Sequence, residues 1–183
     1  GAHMLSYAYH DSLPYLNVVD VSTIDTAFVN SVPVGDHFPI YQSFKANTSG
    51  YLNRIYFRWA SNNPVMAQVR VFSGPDTNGV LLYVDSAEIG QGGYYNTNVW
   101  FTRDHIRVTK DSVYCFCFVA QMTAAVTQGG LYLTADDHYP DGMCSYAWGF
   151  LPPGRDLYFM TYVDPLYSCA SDSVSTSFTV SAP

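Results

Sequence analysis

The residues best equipped for chemistry fall in one stretch, residues 135–156, which holds Asp136, Asp137, His138, Tyr139, Asp141, Tyr146, Trp148, Phe150, Arg155 and Asp156. Pro140, Gly142, Gly149, Pro152, Pro153 and Gly154 interrupt it, so the spacing predicts mostly loop. Sugar recognition needs flat apolar ring faces beside planar hydrogen-bonding groups, and this loop supplies both. The expected ligand site is Asp137, Tyr139, Asp141, Tyr146, Trp148 and Arg155, with the rings stacking and the polar groups orienting. The competing expectation is that Tyr and Trp cap the edge of the core. Asp136, Asp137, Asp141 and Asp156 are candidates for a Ca²⁺ shell of carboxylate oxygens, although their spacing is not that of an EF-hand. No other cofactor is expected.

Other groupings imitate catalysis without its geometry. Asp25-Thr26-Ala27 and Asp85-Ser86-Ala87 resemble paired aspartate loops, yet alanine stands twice where a tight turn under a proton-sharing dyad needs glycine. His10, Asp11 and Ser12 are adjacent in the chain, whereas a triad converges from separate segments. His37, His105 and His138 are scattered, and Glu88 is the only glutamate, so a glycosidase would need paired aspartates. The expectation is a non-enzyme.

Charge narrows the partners. The chain carries a net −7, and its few arginines are dispersed along the sequence. This argues against nucleic acid as a partner. The longest apolar run, residues 113–120, falls far short of the roughly 20 residues of a bilayer-spanning helix, so membrane insertion is not expected. Cys115 and Cys117 lie two apart on a strand-like run, too far along it to bridge each other. Cys144 and Cys169 could pair with each other or with one of these; free thiols are the simpler reading. Asn47-Thr48-Ser49 matches a glycosylation sequon.

The elements that must hold these residues are strands. Lysine is confined to Lys45 and Lys110, while Val, Thr, Ser, Tyr and Phe dominate, a composition suited to a pleated, half-buried surface. Strands are expected at residues 17–21, 40–46, 52–59, 67–73, 80–89, 98–101, 113–120, 130–134, 157–163 and 177–181. Ile55, Phe57 and Trp59 alternate with Tyr56 and Arg58, and Tyr114, Phe116 and Phe118 with Cys115, Cys117 and Val119. The second run, apolar on both faces, predicts a central strand covered on its outer side by a loop or partner. Gly74 to Gly79 read as a connector between strands. Tyr94, Tyr95 and Trp100 form a second aromatic group, expected mainly to fill the core.

Residues 1–4 look like an expression-tag scar, and the domain is expected to be part of a longer protein. Residues 5–36, interrupted by Pro14 and Pro33, are expected as an extended N-terminal arm that could mediate oligomerisation. Residues 37–183 are expected to form a β-sandwich recognition domain.

Tyr41-Gln42-Ser43-Phe44 followed by Ser49-Gly50-Tyr51-Leu52 and Ile55 resembles the "Q-x-F … S-G-x-L-x-x-I" opening of jelly-roll β-sandwich modules of large secreted bacterial proteins. Gly79 with Leu81 and Leu82 is similar to their "G-x-L-L" hairpin, and Trp100-Phe101 to their aromatic strand. Asp111 with Tyr114, Phe116 and Phe118 resembles their "x-G-x-x-Y-x-h-x-h" strand, with Asp111 or Ser112 in place of glycine. Tyr139 to Gly142, then Asp156-Leu157, Phe159 and Thr161-Tyr162-Val163, resembles the closing "Y-x-x-G … D-L-x-F-x-T-Y-V". The resemblance covers about residues 38–164 and implies an all-β, two-sheet antiparallel β-sandwich of carbohydrate-binding or adhesive type. The expected function is a non-catalytic extracellular or cell-surface module that binds glycan or a cell-surface receptor. The alternative is the head of an oligomeric, trimeric fibre or adhesin.

Overall fold

The computed structural model describes residues 16–24, 28–33, 39–60, 64–90, 97–102, 105–120, 130–146 and 154–166, and every regular element among them is a strand. In chain order these are β1 (Val18–Ser22), β2 (Phe28–Pro33), β3 (Ile40–Lys45), β4 (Gly50–Phe57), β5 (Val65–Ser73), β6 (Leu81–Ile89), β7 (Thr97–Trp100), β8 (Arg107–Val108), β9 (Val113–Ala120), β10 (Gly130–Thr134), β11 (Cys144–Tyr146) and β12 (Phe159–Pro165). All pairings are antiparallel. One sheet runs β1-β12-β4-β7, with β8 also on β4; a second runs β11-β3-β9-β5-β6; β10 and β2 form a separate pair. The expected strand at residues 177–181 lies outside the described residues. The strands β2, β8 and β11 were not expected, being cut by Pro33, two residues long, or set in Pro- and Gly-rich sequence.

Strand alternation builds the core. Phe116 and Phe118 of β9 are fully buried, and so are Phe57 of β4 and Phe159 of β12. Phe57 meets Phe118 at 4.6 Å between ring centroids, and Phe116 meets Phe159 at 5.3 Å, so side chains of the first and second sheets share one cluster. Phe44, Ile55, Val69, Val71 and Tyr114 join it, as their positions in the alternating runs predict. β9 is the central strand of its sheet. On its other side Cys115 and Cys117 are covered by Phe72 of β5 with half-buried Tyr41 and Val119, so side chains of the same sheet contribute the cover expected from a loop or partner. Burial raises both thiols, that of Cys117 to about 11, with Arg70 opposing the shift. Cys115, Cys117 and Cys144 are free; Cys169 lies outside the described residues.

The described part of the expected arm is built into the sheets. β1 pairs with β12 and β2 with β10. Polar side chains secure it: Asp20 is buried and accepts from the Asn47 backbone N–H, and the Thr23 hydroxyl donates to Leu157 O at 2.8 Å while accepting from Phe159 N. The Asn47 amide of the sequon donates to Asp20 O. β10 in turn meets the end of β4 and the approach to β12, through bridges Trp59 to Leu131 and Leu133 to Leu157.

One irregularity decides which side chains face outward. Leu52 pairs with Val163 and Arg54 with Tyr162, leaving Asn53 as an extra residue in β4. Gly50 and Leu52 are buried before this bulge and Ile55 and Phe57 after it, so the inward phase changes from even to odd positions. The Asn53 amide is buried with no hydrogen-bond partner among the described residues.

Phe116→Ala should lower the unfolding free energy by about 3–5 kcal/mol, because its ring packs with Phe44 of the neighbouring strand and with Phe159 across the core. Urea denaturation measures it. At the turn into β9, Asp111 adopts φ 66°, the conformation glycine takes without strain. Asp111→Gly should therefore leave stability unchanged or raise it by up to about 1 kcal/mol, whereas Asp111→Val should lower it by more than about 1 kcal/mol. Paired thermal melts of the two variants test this.

Candidate functional site

The loop singled out by sequence separates into an exposed part and a buried clasp. Asp136, Asp137, His138 and Asp141 are exposed, and Arg155 is half-buried. Trp148 and Phe150 lie outside the described residues. Tyr146 closes β11, is buried, and pairs in register with Ile40. Tyr139 stands edge-on to Phe159 at 6.2 Å, and its hydroxyl both donates to Lys45 O and accepts from Lys45 N. Neither Tyr139 nor Tyr146 is the open stacking face expected of it. Each instead packs against the core, where its ring buries apolar area.

Asp156, only 1% exposed, is committed internally. One carboxylate oxygen accepts from Gln42 Nε2 at 2.9 Å and the other from Tyr139 N at 2.9 Å. Gln42 Oε1 accepts from Leu157 N in return. The opening and closing stretches of the family-like pattern therefore meet in one hydrogen-bonded clasp. Among the described residues, no three His, Cys, Asp or Glu side chains gather where they could hold a metal ion, and both Asp156 carboxylate oxygens are taken up by these bonds. Asp85, from one of the two triplets that resemble paired aspartate loops, is exposed and accepts from the Tyr83 hydroxyl; Asp25, His10 and His37 lie outside the described residues.

The outer face of the first sheet presents a different constellation. Beyond the Asn53 bulge, Ile55 and Phe57 point inward, which turns Arg54, Tyr56 and Arg58 outward. Beside them β12 presents Met160 and Tyr162, and β7 presents Asn98 and Trp100. Register places Tyr162, Arg54 and Trp100 in one cross-strand row, with exposed Val19 of β1 at its end. Met160, Tyr56 and Asn98 form the next row.

Arg54 is held between rings. Its guanidinium carbon lies 3.5 Å from the Tyr162 ring centroid and 4.7 Å from that of Trp100, and Nη1 donates to Asn98 Oδ1 at 3.4 Å. Arg58 lies over Tyr158 at 5.1 Å. Burial raises the Tyr56 hydroxyl, and the nearby Arg58 charge opposes that shift. Trp100 is 58% exposed, in contrast to the core role expected for its group, while Phe101 points the other way and is buried. Arg107 of β8, exposed, lies in register with Tyr51 of β4, as does Asp164 of β12, whose carboxylate accepts from Leu16 N and Asn17 N. Three of the six arginines, Arg54, Arg58 and Arg107, thus lie on one face of an acidic chain.

The alternation of Arg54, Tyr56 and Arg58 was visible in the sequence, but their meeting with Trp100 and Tyr162 depends on register. No protein-family model matches this chain, and no curated protein is similar to it.

Asp156 yields a prediction that separates a clasp from a ligand residue. Burial, the largest effect, raises its carboxyl above the ordinary 3.8, while the Gln42 and Tyr139 bonds pull the other way. The native protein therefore binds this proton more tightly than the unfolded chain does. The associated stability is complete below the ordinary value and is lost as pH rises through the raised one. Asp156→Asn should flatten that part of the profile of unfolding free energy against pH. Asp156→Ala should lower stability by about 1–3 kcal/mol for each donor left unmet. Chemical denaturation across the acid range measures both.

Proposed function

We propose that the chain is a non-catalytic recognition module that binds glycan or cell-surface material in an extracellular or cell-surface setting, with the outer face of the first sheet as its platform. We read the architecture as a two-sheet, jelly-roll-like β-sandwich of the kind the sequence resembles. Two five-stranded antiparallel sheets contributing to one core support that reading. The observation that carries the function is the row Tyr162-Arg54-Trp100, in which an exposed indole and an ordered guanidinium stand on strands rather than on a loop. Aromatic rings contribute apolar contact at small entropic cost, and a rigid sheet holds them before the ligand arrives. Asn98 and Tyr56 in the next row add hydrogen-bonding groups suited to sugar hydroxyls.

A second reading, the head of an oligomeric fibre, is favoured by β6. This strand is bonded only to β5 among the described residues and exposes Leu81, Leu82 and Val84, with Val80 just before it. Long apolar edges of this kind invite association. Sedimentation equilibrium decides it, a trimer favouring the fibre and a monomer the appended module.

Trp100→Ala should weaken binding to a glycan array by about tenfold, equivalent to about 1.4 kcal/mol, with a nearly unchanged melting temperature. Undiminished binding by the folded variant would remove this face from consideration.

A further inference from the structure

We infer that the platform selects carboxylate-bearing saccharides, such as those ending in a uronic or sialic acid, with Arg54 as the group that receives the carboxylate. The inference rests on the platform reading above and adds the ligand's charge to it.

The first observation is how Arg54 is held. Tyr162 and Trp100 flank the guanidinium, so what remains for a ligand is its rim of N–H donors rather than its faces. That rim is a planar fork matched in geometry to a carboxylate. Nε is buried without an acceptor among the described residues, and the contact of Nη1 with Asn98 is long at 3.4 Å. The outer end of the fork is therefore the part left for an incoming acid.

The second observation is charge. Arg54, Arg58 and Arg107 lie on this face of a protein whose net charge is −7. The carboxylate nearest Arg54 along β12, that of Asp164, lies one row away and accepts from two backbone N–H groups. The neighbours of Arg54 in its own row, Tyr162 and Trp100, are neutral. Among the described residues no carboxylate is paired with Arg54; a partly buried cation in that state is unfavourable, and an anionic ligand would relieve it. Trp100 sets an apolar ring face directly beside the cation, and Asn98 and Tyr56 follow about 7 Å along the strands. A pyranose carrying one carboxylate offers the complementary set: an apolar C–H face, an anion at its edge, and hydroxyls beyond. A polyanion such as nucleic acid fits less well, because the rest of this acidic chain would repel its further phosphates.

The test measures binding of the intact chain to glycans ending in glucuronate, galacturonate or N-acetylneuraminate, each beside its carboxyl-reduced counterpart, with a single-stranded oligothymidylate as a further probe. The expected result is at least a tenfold preference for one or more of the acids over the reduced form, weakened by added salt. Arg54→Gln should abolish that preference, bringing each acid and its reduced counterpart to equal binding. Arg54→Lys, which keeps the charge but loses the fork, should restore it only in part. Equal binding of acidic and reduced glycans by the wild-type chain would overturn the inference and leave the platform reading standing. Absence of binding to every glycan would overturn both, as would tighter binding of the oligothymidylate than of any glycan. The wild-type comparison decides even if an Arg54 variant fails to fold.

Discussion

The contact of Phe57 with Phe118, and of Phe116 with Phe159, is the constraint from which the rest of the molecule follows. Each ring belongs to a strand whose side chains alternate, so fixing the rings inward fixes their neighbours outward. In β9 the outward set is Cys115, Cys117 and Val119, which side chains of the same sheet help to cover. In β4 it is Arg54, Tyr56 and Arg58, which cannot be buried cheaply and remain at the surface. The apolar core thus selects the polar face without any residue of that face having to drive folding.

Buried polar groups do a different task. Asp156, Gln42 and Tyr139 close the end of the second sheet, and Asp20 and Thr23 tie the N-terminal strand to its neighbours. Each bond satisfies a backbone or side-chain donor that would otherwise be stranded in a dry interior. Asp20, like Asp156, has its carboxyl raised by burial. Residues of the types expected for ligand and ion binding therefore serve as fasteners here. Two of these fasteners, Gln42 to Asp156 and Thr23 to Phe159, join segments more than a hundred positions apart in the chain.

Much of the strand framework was legible in advance, because alternation over Leu52 to Trp59 and over Val113 to Ala120 is a local property. The connector at Gly74 to Gly79 was equally plain, and Gly74 takes the positive φ that turn glycines permit. Less legible was the candidate site. Trp100 and Phe101 read as facing opposite sides of a strand, but only the sheet shows which of the two faces outward. Asp156 and Tyr139 read as loop residues until Gln42 and Lys45 are brought to them. Arg54, Trp100 and Tyr162 are far apart in sequence, and only cross-strand register, which no short window contains, makes them one row.

The extra residue at Asn53 gives that row an unusual dependence on chain length. Leu52 and Arg54 are two positions apart, a spacing that on a regular strand would put them on the same side, yet one is in the core and the other outside. The bulge acts as a phase inverter, and the buried amide of Asn53 marks what the inversion costs. Sidedness in this strand is consequently a parity that one residue sets. Substitutions along β4 would vary the chemistry of the platform by degrees, whereas loss of a single residue at the bulge would exchange inside for outside over one half of the strand.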